Sequence, residues 1–161
     1  MNVPAPQTIF GALNAHGVAY LVIGGLAVQA HGVSRSTLDV DIVVERTPAN
    51  YRRLRDALVA LDAVVPAVDP RTFVELDPTD EVDLARGSVI RITTRAGALD
   101  VLRDPPGADH FDRLVDRALR VTVLGVEIPI VALDDLIAMK RATGRPKDLA
   151  DIAELTAESE T

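Results

Sequence analysis

The chain has 161 residues, 48% of them apolar, a formal net charge of −7 and no cysteine. That length suits one domain with a real hydrophobic core. The missing cysteines exclude disulfides and thiolate metal sites, and the acidic balance argues against a dedicated nucleic-acid binder while leaving room for a local basic patch. No apolar run approaches the roughly 18 residues a membrane-spanning helix needs, and the N-terminus lacks the basic-then-apolar pattern of a signal peptide. The expectation is a soluble cytoplasmic protein with no membrane contact. It is expected to form a single domain over 1–161, with a core over about 1–131 and a helical part over about 132–157.

In chain order, the spacing of Ile9, Phe10 and Leu13 predicts a helix from Pro6 to His16, stopped by Gly17. The apolar run Ala19–Ile23 predicts a buried strand, Gly24-Gly25 a turn, and Leu26–Ala30 a short helix ending at Gly32, with Leu26, Ala27 and Ala30 on one face. Asp39–Val44 is a second strand. Thr47-Pro48 opens a helix running to about Asp62, with Thr47 as N-cap and Leu54, Leu58 and Leu61 inward. Val64–Gly87, broken by prolines, is expected to be a loop with short helical or strand pieces. Ser88–Thr94 alternates as a half-buried strand should, and with Leu99–Leu102 forms a hairpin turning at Ala96-Gly97. His110–Ala118 is a short helix with Phe111, Leu114 and Val115 inward, and Arg120–Val131 is a second hairpin turning at Gly125. Leu133–Ala142 is a helix, stopped at Thr143-Gly144. Pro146 starts the last helix, to about Glu154, with Asp148 and Asp151 in early turns that the macrodipole favours and a frayed tail.

The chemistry concentrates in Tyr20–Glu45. Asp39 and Asp41 are one residue apart on a strand, so both carboxylates face one way while Val40 and Ile42 face the other. Paired acids on an apolar strand repel each other unless solvated or bridged by a cation. Hard divalent ions accept a few carboxylate oxygens and keep positions free for water and phosphate. Upstream, with thirteen residues between it and Asp39, Gly24-Gly25 leaves bare backbone for a phosphate to approach. Asp100, set between Leu99 and Val101, is a third acid in an expensive place and so a candidate functional residue. The alternative is an edge-strand acid facing solvent. Glu75 and Asp83, in polar surroundings, are poorer candidates. A phosphoryl-transfer site also needs cations, and Arg35, Arg91, Arg95 and Arg103 lie near these acids in sequence; each is equally well read as a solvated surface arginine.

A Gly-Gly turn followed by a spacer and Asp-x-Asp resembles the signature of the nucleotidyltransferase superfamily that includes DNA polymerase β. The stretch G-G-L-A-V-Q-A-H-G-V-S-R-S-T-L-D-V-D-I-V-V is similar to small prokaryotic stand-alone members, among them toxin-type enzymes of the abortive-infection AbiEii group and antibiotic-modifying transferases. T-T-R-A-G-A-L-D-V-L and L-D-D-L-I-A-M-K-R-A-T-G-R-P-K-D-L-A-D-I extend the resemblance over most of the chain. It implies an α+β, polymerase β-like fold, a mixed β-sheet flanked by helices with further helices at the C-terminus. The implied activity is metal-dependent transfer of a nucleoside monophosphate from an NTP, with Mg2+ or Mn2+. Asp39 and Asp41 map onto the metal carboxylates, Asp100 onto the third carboxylate as ligand or base, and Gly24 and Gly25 onto the phosphate turn. Family members commonly carry Ser after the glycines; Leu26 stands there instead, with Ser34, Arg35, Ser36 or Thr37 available to compensate. Lys140 and Lys147 are expected to reach the nucleotide, with helix-terminus electrostatics as the plainer reading of that segment. The expected acceptor is a hydroxyl, first a tRNA end or other macromolecule of a toxin–antitoxin system with an antitoxin protein as partner, second a small molecule such as an antibiotic. The competing expectation is a protein of this fold that binds nucleotide or a partner protein without catalysis.

Overall fold

The computed structural model describes residues 3–66, 71, 73–75 and 89–160. Among them, eight strands form one mixed sheet in the order β4-β3-β5-β6-β2-β1-β8-β7, accompanied by six helices. The sheet is antiparallel except at two central pairs, β1 (Tyr20–Ile23) with β8 (Val126–Ile130) and β2 (Val40–Val44) with β6 (Gly97–Leu102), which run parallel. This is the α+β architecture expected, with helices α5 (Leu133–Thr143) and α6 (Pro146–Ser159) closing the chain.

The core follows from the apolar patterning. All four residues of β1 are buried, so the strand is covered on both faces, as a central strand with a continuous apolar run must be. Ile9, Phe10 and Leu13 of α1 (Pro6–Ala15) and Leu54, Ala57 and Leu58 of α3 (Pro48–Ala60) are buried in the same cluster, and the two helices touch. Thr47 caps α3 as expected, its Oγ1 accepting from the Asn50 backbone N–H. Asn50 is fully buried and fully used. It accepts from Ala19 N at 2.8 Å and donates to Ala19 O and Glu45 O at 2.9 Å each, tying the start of β1 to the end of β2.

Several expectations shift. The glycine pair is not a separate turn: it opens helix α2 (Gly24–Ala30), so β1 passes directly into a helix. On α2, Ala27 and Val28 are buried, Leu26 is half-buried against the core and Ala30 is exposed. Val115 of α4 (Phe111–Arg117) is exposed where an inward place was expected, because Leu114 takes the buried position on that short helix. The last helix runs to Ser159, well past Glu154, because Leu155 is buried against the core and Glu158 packs on Gly32. The proline-broken stretch contains β3 (Val64–Pro66) and β4 (Phe73–Glu75), which extend the sheet beyond β5 (Val89–Thr94). Glu75 is exposed on β4; Asp83 and Ser88 lie outside the described residues. The two hairpins stand where the sequence placed them. The second, β7 (Leu119–Val123) to β8, turns at Leu124-Gly125, where φ values of +50° and +81° suit a tight hairpin.

Candidate active site

Strand pairing builds a row of side chains across the sheet. Ile23 is the register partner of Asp41, Asp41 of Asp100, and Asp100 of Arg91. Directly opposed residues share a face, so the two acids and the arginine line up on adjacent strands, with Gly24 following Ile23 at the head of α2. Asp39 precedes β2 by one residue, is exposed, and belongs to the same side as Asp41 by alternation. The sequence-predicted acids therefore come together, drawn from β2 and β6 by the parallel pairing.

The electrostatics of the row are tense. Burial, then the charge of Asp100, a hydrogen bond shared with Asp100 and the charge of Asp39 push the Asp41 carboxyl up to about 6, against the pull of Arg91. Arg91 grips Asp100 as a fork: Nε and Nη2 donate to Oδ1 and Oδ2 at 2.9 Å each. These bonds, before any other cause, raise the Arg91 pKa and hold it firmly protonated.

Gly24 is fixed by its neighbours. Its φ is +70°, and a Cβ there would sit 2.2 Å from Asp41 Oδ2. A Cβ on Gly25 would meet Thr37 Cγ2 at 2.8 Å. Both glycines are thus required first by the chain's own side chains: the backbone of α2 lies directly on the Asp41 carboxylate and on Thr37. Thr37 Oγ1 in turn accepts from the Asp39 backbone N–H at 3.4 Å.

The basic residues are placed differently from the acids. Arg35 pairs through Nη1 with Asp151 Oδ1 at 2.6 Å, and Lys140 Nζ reaches Asp151 Oδ2 at 2.9 Å and Asp148 Oδ1 at 3.6 Å. Asp148 also accepts from Thr143 Oγ1 at 2.7 Å and from Arg145 Nε at 2.8 Å. The Arg145 bond above all holds the Asp148 carboxyl well below the usual carboxylate range, against its burial. Burial pushes Asp151 up, but Arg35 and Lys140 outweigh it and leave that carboxyl below its ordinary value. This cluster joins α5 and α6 to the segment between α2 and β2, a buried ion network where the sequence suggested helix-end charges. Lys140 and Asp148 still adjoin the acids' neighbourhood, since with Gly24, Leu136 and Met139 they line one cavity of about 120 Å3. Ser34 and Lys147 are exposed. A larger cavity, about 240 Å3, lies by Val44, Arg46, Arg103 and His110; of the sequence-predicted candidates it is lined by Arg103 and by none of the acids or glycines. Sequence reasoning missed the Asp151 network. Its signal was present in the acids at 148 and 151, spaced to put both on one face of a helix, three and six residues after Arg145.

Among the described residues no group of three or more His, Cys, Asp or Glu stands assembled as a metal cage. Magnesium does not require one: it is held by one or two carboxylates together with water and substrate phosphate. The adjoining Asp41 and Asp100 carboxyls, with Asp41 raised first by burial and then by the charge of Asp100, are an oxygen donor set that fits such an ion.

The fold has known counterparts. The structure of the lincosamide antibiotic adenylyltransferase LnuA with lincomycin bound superposes with a TM-score of 0.64 at 16% identity, over 98% of this chain and 99% of that one. An antigenic nucleotidyltransferase-like protein from Paracoccidioides brasiliensis matches with a TM-score of 0.58 at 13% identity, over 98% and 78% of the two chains. ANT(2")-Ia in complex with adenylyl-2"-tobramycin matches with a TM-score of 0.58 at 13% identity, over 95% and 86%. No curated protein matches the sequence. A family model described as "Nucleotidyltransferase of unknown function (DUF6036)" matches residues 12–159, and the chain belongs to that nucleotidyltransferase family.

Proposed function

We propose that the protein transfers a nucleoside monophosphate from an NTP to a hydroxyl acceptor, using Mg2+ or Mn2+ held by Asp39, Asp41 and Asp100. The observation that carries this reading is the contact of Asp41 with Asp100 across two parallel strands, beside a glycine that lets backbone lie on the carboxylate. When bound, the cation would offset charge on the phosphates and orient them for in-line attack. Asp41 and Asp100 bind and orient that centre from rigid strands. Asp100, hydrogen-bonded to both Arg91 and Asp41, is the group that would take the proton of the acceptor hydroxyl. Gly24, Gly25, Thr37 and Ser34 offer backbone and hydroxyl contacts to the nucleotide, Lys140 approaches it from the cavity it shares with Gly24, and Lys147 approaches from solvent. Arg35 contributes by anchoring its segment to Asp151.

For the acceptor, a small hydroxyl-bearing molecule ranks ahead of a tRNA end in a toxin–antitoxin setting. The net charge of −7 disfavours extended RNA contact, and the chain is the length of the adenylyltransferase LnuA, whose structure holds lincomycin. Dependence on NTP and the lack of cysteine support a cytoplasmic location. Among the described residues no helix is long and apolar enough to cross a membrane. A second reading, nucleotide binding without turnover, is favoured by Leu26 in place of a phosphate-holding serine.

The test incubates the protein with each labelled NTP, Mg2+, and either total tRNA or a panel of aminoglycoside and lincosamide alcohols. Label moving to a small molecule is the expected result. Label on tRNA would reverse the acceptor order. Mg2+-dependent NTP binding by calorimetry with no transfer to any acceptor would favour the second reading.

A further inference from the structure

Arg91 stands against the carboxylate row, and the chemistry above leaves it without a task. Its fork takes both oxygens of Asp100, the acid that the reading above needs for metal or proton. Its positive charge also acts on Asp41. Yet little holds Arg91 itself in place: its side chain is 61% exposed, against 15% for Asp100. It projects from the exposed face of β5, between Val89 and Thr93, which are exposed as well. A buried strut would be packed; this is a solvated cation on a flexible stem, parked on a cluster of like charges.

We propose that Arg91 is the resident counter-cation of the carboxylate row. In the nucleotide-free protein it offsets the charge that a divalent ion would otherwise offset. It yields Asp100 when a metal ion binds, and its freed guanidinium then pairs with a phosphate of the incoming nucleotide. Arginine suits both positions because one planar fork matches carboxylate and phosphate alike. The proposal rests on the reading of Asp39, Asp41 and Asp100 as metal ligands. It differs from a positioning role in sign. A strut that orients Asp100 would help metal binding, so its loss would weaken the metal. A competitor for Asp100 opposes metal binding, so its loss would strengthen it.

The experiment measures Mn2+ binding by electron paramagnetic resonance for the wild type, Arg91→Ala, Arg91→Lys and Asp41→Asn. It then measures binding of a non-hydrolysable NTP analogue at saturating Mn2+ by equilibrium dialysis. Circular dichroism confirms folding, which an exposed substitution leaves intact. An exposed ion pair contributes up to about 1 kcal/mol, which converts to about fivefold in affinity. Arg91→Ala is therefore expected to bind Mn2+ about fivefold tighter and the analogue about fivefold weaker, with Arg91→Lys between, since lysine keeps the charge and loses the fork. Equal or weaker Mn2+ binding by Arg91→Ala, while the wild type binds and Asp41→Asn does not, overturns the counter-cation role alone. Unchanged analogue affinity overturns the transfer of Arg91 to phosphate. A wild type that binds no Mn2+, or an Asp41→Asn that binds it equally well, overturns the metal site and this proposal together.

Discussion

Replacing Asp151 by asparagine removes one charge from the ion network and changes almost nothing else in volume. The side chains of Asp151, Lys140 and Arg35 are 9%, 11% and 16% exposed, so all three charges sit largely out of water. Two short pairs, 2.6 Å to Arg35 and 2.9 Å to Lys140, meet on the one carboxylate. Without it Arg35 loses its acid partner, while Lys140 keeps Asp148 at 3.6 Å. Breaking a buried pair by removing one member costs about 3–5 kcal/mol, because the remaining charge stays buried and unpaired. The retained Asp148 contact and the amide oxygen put Asp151→Asn near the lower end, about 3 kcal/mol at pH 7. The variable to follow is the urea midpoint at constant slope. The pH dependence has a definite sign. Asp151 is held below its ordinary value of 3.8, so the stabilisation is complete above that pH and is lost as pH falls through the lower folded value. The difference between wild type and variant should therefore shrink only in strong acid. Adding Arg35→Met to Asp151→Leu should recover the part of the loss that comes from the unpaired Arg35, since apolar replacement of both members of an ion pair is close to neutral, while Lys140 keeps only Asp148. A cost below about 1 kcal/mol for Asp151→Asn would mean that the pairs behave as surface ion pairs, and the argument from burial would be refuted.

Three further perturbations separate architecture from chemistry. Asn50→Ala orphans the Ala19 N–H and removes donors from two carbonyls in a fully buried place, and should lower stability by about 2–3 kcal/mol in thermal or urea unfolding. Gly24→Ala puts a methyl 2.2 Å from Asp41 Oδ2 at φ +70°, so transfer should fall more than about tenfold, while stability falls only by the roughly 1–2 kcal/mol of a left-handed alanine. Equal losses in stability and turnover would argue against a specific effect on Asp41. Gly144→Ala, at the left-handed C-cap of α5 with φ +59°, should cost about 1 kcal/mol and leave turnover per folded molecule unchanged.

What the sequence revealed depended on how local the deciding physics was. The strand alternation at 89–94 and the Leu54, Leu58, Leu61 stripe are carried by neighbouring residues, so both were readable. The pairing of Arg91 with Asp100 was not, because it hinges on the register set by a hairpin turn. Asp41 meeting Asp100 needed the parallel pairing of strands more than fifty residues apart, which only the family resemblance anticipated. Asp151 was misread for a similar reason. On one helix it is a favourable end charge; its partners Arg35 and Lys140 come from two other parts of the chain and turn it into a buried hub. Gly24 illustrates a motif whose immediate cause is internal. The bare backbone that suits a phosphate is already demanded by the Asp41 carboxylate. The helix past Glu154 escaped notice because its polar sequence hides a single buried anchor, Leu155.

The central claim is that Asp41 and Asp100 form a metal-dependent transfer centre. Pyrophosphate release from NTP in the presence of acceptor, measured with Mg2+ and with chelator for wild type, Asp41→Asn and Asp100→Asn, tests it most directly. The account predicts release by the wild type with Mg2+, none with chelator, and a loss of at least about a hundredfold in each variant at undiminished folding. Release that persists under chelation, or survives in both variants, would contradict it.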